Sequence, residues 1–278
     1  MTEKPFAEWI GRRSESEDIV TPRLVRSFRA TFDPHLAQVS DDEAPLGLHW
    51  CLSPPISPMK GLGQDGHPAL NRDLPPVPQP RRMWAGGEIE TFAALEVGDR
   101  VTRISTIRDI VRKEGRTGEL WFVTVGHDYL TERGLAIRER HDIVYREAAD
   151  PSKPQPKPEP GPSRASKADW LVETPPTLLF RYSAITFNGH RIHYDLPYVT
   201  EVEGYEGLVV HGPIQATLLY NLAARTGGGA PEKFSYRGLA PAIGGRPIMV
   251  RAGAGEADGV FWTQGAAGQV HMEARIGH

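Results

Sequence analysis

Proline stands at nearly every second position of Pro151-Ser-Lys-Pro-Gln-Pro-Lys-Pro-Glu-Pro-Gly-Pro162. Proline fixes φ and has no N–H to donate, so neither a helix nor a paired strand continues across such a run. The run predicts an extended, semi-rigid connector, and it divides the chain into two halves. The two halves share one plan. In the first half, Thr21-Pro22 is an N-cap followed by Pro at the first helical position, and Leu24, Val25, Phe28 and Phe32 mark one face. Asp33-Pro34 ends that helix. Residues 47–52 read as a strand. Residues 53–80, rich in Pro and Gly, read as a long surface loop, and loops of that length are commonly functional.

Strand signals come next. Met83-Trp84 and residues 88–92 flank a Gly86-Gly87 kink, residues 100–111 are rich in Val, Ile and Thr, and residues 120–125 are apolar on both faces. Leu135, Ile137, Ile143 and Tyr145 alternate with polar residues, but Glu139 and His141 interrupt the middle of that apolar face. After the prolines come an apolar run ending in Phe187, a dense polar cluster and a helix opening at His211-Gly212-Pro213. Ile214, Leu218 and Leu222 give that helix a core face. Strands are predicted near 234–237, 248–250, 260–263 and 270–276. Two α+β halves of one plan imply a fused pseudo-dimer with residues 1–150 and 165–278 as its units and 151–164 as the linker.

Composition narrows the function. A formal charge of −3 without a basic stripe gives no case for nucleic acid. A lone cysteine, Cys51, excludes an intramolecular disulfide framework and fits a reducing compartment. The N-terminus lacks the apolar core of a signal peptide, and no window approaches a membrane span. The expectation is a soluble cytoplasmic protein.

The polar cluster holds Asn188, His190, Arg191, His193 and Asp195. The helix that starts at Gly212 has free N–H groups at its end, which stabilise negative charge on an oxygen. A histidine beside it makes a workable site for chemistry on a carbonyl. Each residue also has a plainer reading. His193 is either a satisfied structural histidine or an acid–base group. His211 fixes the turn before the helix. Asp195 is either a turn residue or a catalytic one, and Arg191 either an ion-paired surface arginine or a ligand clamp. His190 and His193 have no further ligand at metal spacing, so no metal is expected. Ser183 lacks the elbow pattern of a serine hydrolase.

The run Thr186-Phe187-Asn188-Gly-His190-Arg191-Ile192-His193-Tyr194-Asp195, with His211-Gly212 downstream, resembles the hydratase motif of the MaoC-like (R)-specific enoyl-CoA hydratases. That motif reads Asp-x-Asn-Pro-x-His-x-Asp. The resemblance implies an α+β double hotdog, in which each half has a central helix wrapped by an antiparallel sheet. The first half lacks the motif. The form of the motif is similar to the branch holding mesaconyl-C4-CoA and itaconyl-CoA hydratases and hydroxyacyl-thioester dehydratase type 2. By position, the resemblance implies His193 as the catalytic histidine, Asp195 as the second acidic residue and Gly212 as the backbone donor to the thioester carbonyl. Asn188 stands where the wider family has an aspartate, and an amide cannot take up a proton at neutral pH.

The implied activity is a hydro-lyase that adds or removes water across the α,β double bond of a short dicarboxylic enoyl-CoA, with no cofactor. A CoA thioester is then the partner, and a homo-oligomer is compatible with the reading. His193 moves the proton, Gly212 polarises the carbonyl, and Asn188 or Asp195 orients His193 or the water. A substrate carboxylate needs a cation, for which Arg181, Arg191 and Arg82 are the candidates, with His211 nearby and Arg72 and Arg81 in the same loop end as Arg82. The alternatives are a 3-hydroxyacyl-thioester dehydratase of fatty acyl chains, a thioester hydrolase and a non-catalytic acyl-CoA binding module.

Overall fold

The computed structural model describes residues 5–115, 118–148 and 159–277, so residues 151–158 of the proline run lie outside the described residues. The strands of the first half are β1 (Arg13–Ile19), β2 (Arg81–Thr91), β3 (Arg100–Gly115), β4 (Gly118–Thr131) and β5 (Gly134–Arg146). Those of the second are β6 (Ser166–Val172), β7 (Lys233–Gly238), β8 (Ile248–Gly253), β9 (Val260–Gln264) and β10 (Val270–Gly277). All join one antiparallel sheet in the order β1-β3-β4-β5-β2-β7-β10-β9-β8-β6. From either edge inward the order is the first, third, fourth, fifth and second strand of a half. The halves meet where β2 pairs β7, from Gly86 opposite Arg237 to Glu90 opposite Lys233. This is the α+β double hotdog.

Three α-helices lie among the described residues. Helix α1 (Pro22–Phe32) follows β1, and its N-cap Thr21 accepts from the Leu24 N–H as the Thr-Pro pair predicts. Helix α2 (Pro176–Ile185) follows β6 and packs beside α1, with Phe32 edge-on to Tyr182. Helix α3 (Gly212–Gly227) is buried on all sides from Ile214 to Ala224. The sheet wraps it, so its polar side chains must find partners inside. Gln215 accepts from Thr263, and Asn221 donates to the carbonyls of Leu46 and Thr217.

The predicted strand at 47–52 is instead a 3₁₀ turn, Leu48–Cys51, entered through Gly47 at φ 91°. Leu48, His49, Cys51 and Leu52 are all buried, which a half-exposed strand with period two does not allow. In chain order this turn stands where α3 stands in the second half. Three elements are not legible in the sequence: the two edge strands, β1 and β6, and the helix α2. Strand β1 is almost wholly polar and pairs only with β3. In the run before Phe187, α2 buries Leu179 and Tyr182 at helical spacing. The Gly86-Gly87 kink is a register shift between Trp84 and Gly86. A Cβ at Gly87 would stand 2.2 Å from the Arg140 carbonyl, so only glycine fits.

Candidate active site

The polar cluster lies between the end of α2 and the start of α3. Phe187 takes a left-handed φ of 48°, uncommon for a bulky residue, and the chain then turns into a short 3₁₀ segment, Arg191–His193. His193 is buried, and its Nδ1 lies 2.7 Å from the Val209 carbonyl oxygen. A carbonyl only accepts, so Nδ1 carries the proton and Nε2 of the neutral ring is left as a base. The Val209 N–H in turn donates to the Ile192 carbonyl, which ties the motif to the chain entering α3. Burial lowers the His193 pKa to about 3, so the ring is neutral at ordinary pH.

His211 is the residue before α3. Its ring stacks on His193 with centroids 3.4 Å apart, and its Nε2 meets Ser183 Oγ at 2.9 Å. Burial again depresses its pKa. It therefore fixes both the His193 plane and the helix start. Gly212 opens α3, where the first N–H groups have no acceptor within the helix. A Cβ on Gly212 would stand 2.4 Å from the Trp84 ring, so β2 of the other half packs directly on the helix start.

Asn188 lines the same cavity as His193 and Gly212. Its Oδ1 accepts from the His190 N–H at 2.9 Å, which sets the amide orientation and leaves its NH₂ as a donor. A donor there can hold a water oxygen but cannot take a proton.

Asp195 and Arg191 do not line the cavity. Asp195 Oδ2 pairs with Arg191 Nη2 at 2.7 Å, and Oδ1 accepts from the Tyr198 N–H. Arg191 holds its pKa below the usual carboxylate range. Arg191 also reaches the Gln64 carbonyl and lies over the Tyr198 ring. Arg181 is exposed on α2 and donates to the Ala30 carbonyl of α1, away from the cavity. Arg81 is buried in an ion pair with Glu203, and Arg72 is exposed, donating to Ser57. Of the arginines singled out in the sequence, Arg82 lines the cavity.

The 53–80 loop supplies part of the site. A Cβ at Gly66 would overlap the Gly189 carbonyl at 2.0 Å, and the Asp65 carbonyl accepts from the Arg191 N–H. The His67 ring lies 4.2 Å from that of His190, tilted 46° to it, and is hydrogen-bonded to Asp65 Oδ2 at 3.0 Å. Asp65, His67 and His190 thus bring three potential metal donors within 4.8 Å. Spacing could not reveal this set, because two members come from the other half. A cation there would have to displace the His67–Asp65 hydrogen bond.

One cavity of about 1710 Å³ joins these groups and continues beneath the sheet of the first half. A neutral imidazole base, a helix start and an amide donor around one cavity at a double-hotdog seam define a site for moving a proton next to a carbonyl. The profile of the family described as hydroxyacyl-thioester dehydratase type 2 matches residues 47–244, and the chain belongs to that family. It is a hydro-lyase of thioesters. The chain is 41% identical over 253 residues to the mesaconyl-C(4)-CoA hydratase of Chloroflexus aurantiacus, covering 91% of this chain and 90% of the relative. It is 26% identical to the mitochondrial hydroxyacyl-thioester dehydratase type 2 of Schizosaccharomyces pombe, over 84% of this chain and 88% of the relative. Among solved structures, a MaoC-like dehydratase from Phytophthora capsici superposes with a TM-score of 0.67 at 16% identity, covering 98% of this chain and 97% of that one. A Mycobacterium tuberculosis protein described as having a double hotdog fold superposes at 0.54 with 12% identity, over 96% and 95% of the two chains.

Proposed function

We propose that this protein adds water reversibly across the double bond of a short dicarboxylic enoyl-CoA, with mesaconyl-C4-CoA as the first candidate and itaconyl-CoA as the second. The observation that carries this reading is the 41% identity over nearly the whole of both chains to a hydratase of the first compound. In the proposed mechanism the thioester carbonyl faces the Gly212 N–H, which stabilises the enolate-like oxygen as it forms. Asn188 holds a water by its NH₂. His193 Nε2 takes a proton from that water as its oxygen bonds the β-carbon. The same imidazolium then protonates the α-carbon, since Asn188 cannot supply a second acid. His211 keeps the His193 ring in plane. Asp195 and Arg191 brace the turn that carries His193, and Arg82 contacts the substrate from the cavity wall.

The same reading carries CoA as the carrier, catalysis without a cofactor, a cytoplasmic enzyme, and a division into hotdog units at 1–150 and 165–278. A second reading, dehydration of longer 3-hydroxyacyl thioesters, is favoured by the description of the family and by the cavity volume. The test is a panel of specificity constants for mesaconyl-C4-CoA, itaconyl-CoA, crotonyl-CoA and a longer enoyl-CoA, following enoyl-thioester absorbance and free thiol together. Higher values for both neutral thioesters than for both dicarboxylic ones would replace the first reading with the second. Thiol release without hydration would replace both.

A further inference from the structure

Glu139 and His141 break the apolar alternation of β5 at the centre of its buried face, and proton chemistry at His193 uses neither. Cross-strand pairing shows what they belong to. Directly opposed residues of neighbouring strands point to one face. Ser105, His127 and Glu139 are opposed in one row, Arg103 and Tyr129 in the next, and Val125 and His141 in the row on the other side. The concave face of the first half therefore carries a polar floor. In the second half α3 fills the corresponding space. Here the short turn Leu48–Cys51 covers only its edge, where Trp50 Nε1 donates to Glu139 and the Leu52 carbonyl meets Arg103 at 3.5 Å.

This floor lines the cavity that also holds His193 and Gly212. Trp84 connects the two. Its ring lies against Gly212 at the start of α3, and it is 5.7 Å from the His141 ring, which is 5.9 Å from His127. Arg103 Nε and His141 Nε2 are buried and lack any hydrogen-bond partner. Among the described residues no carboxylate forms an ion pair with Arg103. Glu139 feels the Arg103 charge but makes no ion pair with it. Its oxygens are taken by Trp50, Tyr236 and Tyr129, and burial raises its pKa, so negative charge there is disfavoured. A buried guanidinium edge without an anion calls for one.

We propose that Arg103 receives the distal carboxylate of the acyl group and sets the preference for dicarboxylic over neutral enoyl thioesters. This rests on the dicarboxylic reading above. Arg103 is then a specificity residue supplied by the half that lacks the catalytic motif. The guanidinium offers two parallel donors to the carboxylate.

The test is the ratio of kcat/KM for mesaconyl-C4-CoA to that for crotonyl-CoA in the wild-type protein, Arg103→Gln, Arg103→Lys and Arg82→Gln. Loss of one partner of a desolvated charge pair predicts a fall in the ratio on the order of 100-fold in Arg103→Gln. Arg103→Lys keeps the charge without the fork and falls less; it also provides the reading should Arg103→Gln fail to fold. A wild-type preference that survives within about threefold in Arg103→Lys and in whichever Arg103→Gln protein folds overturns the proposal alone, against the predicted loss of a charge-assisted pair. So does collapse of the ratio in Arg82→Gln but not in the Arg103 variants. A wild-type protein that does not turn over mesaconyl-C4-CoA overturns the substrate reading, and this proposal with it.

Discussion

Acidification to pH 5.5 should unfold this protein through its buried imidazoles. His49, His190, His193 and His211 are each buried, and burial lowers the pKa of each, to about 3 for His49 and His193. In the unfolded chain they titrate near 6.5, so below that pH the unfolded state binds more protons than the native one. Stability from these groups is present in full above pH 6.5 and is lost as pH falls toward the folded values. At pH 5.5 an imidazole kept neutral costs about 1.4 kcal/mol relative to neutral pH, whatever the exact folded pKa. Four cost about 6 kcal/mol, against about 5–15 kcal/mol for the whole stability of a typical domain. His67, His127 and His141, whose pKa values are also lowered, add to this, and the single raised carboxyl of Glu139 opposes it. The assay is urea unfolding and hydratase kcat/KM from pH 8 to 5. Activity should hold a plateau to about pH 6 and then fall steeply together with the fold, with at least about four protons taken up. Flat stability down to pH 5 would refute the reasoning. So would a one-proton activity limb near 6.5 in a protein that stays folded, because His193 would then titrate as an exposed ring.

The site itself carries three more predictions. Asn188→Ala should lower kcat about 10–100-fold, while Asn188→Asp, which still accepts from the His190 N–H, should retain more activity; equal loss in both would remove the water-holding role. Gly212→Ala drives a methyl group into Trp84, so kcat should fall at least about tenfold even where circular dichroism shows an intact fold, and an unimpaired variant would free the helix start from the mechanism. Asp195→Asn breaks the brace with Arg191, and its effect should appear in Tm more than in kcat; the reverse pattern would return Asp195 to the chemistry.

The architecture was legible where local patterns and burial agree. The Thr21-Pro22 cap, strands β2 to β5 and β7 to β10, and the Gly212-Pro213 helix start lie where spacing predicts them. Strand β1 was not legible because an edge strand buried on neither face needs no apolar alternation. The turn at Leu48–Cys51 reads as a strand in sequence because a short apolar run has the same composition in either form. For the site, the motif picks out Asn188, His193 and Gly212, which the fold brings to one cavity. Closeness to the motif along the chain does not bring an arginine to the cavity. Arg181 and Arg191 adjoin the motif along the chain yet serve α1 and Asp195. The cavity is closed by the other half, whose His67, Arg82 and Arg103 stand about a hundred residues away. The one local sign of that second wall was the pair Glu139 and His141 on an apolar face.

His193, in the Nδ1–H form held by Val209, is proposed as the base that adds water to the enoyl thioester. This is tested by following mesaconyl-C4-CoA absorbance with wild-type protein and His193→Ala at neutral pH, after circular dichroism has shown both to be folded. The predicted result is hydration by the wild-type protein and a loss of about 10²–10⁴-fold in kcat for the variant. A folded His193→Ala protein that hydrates the substrate at near-normal rate would contradict the claim.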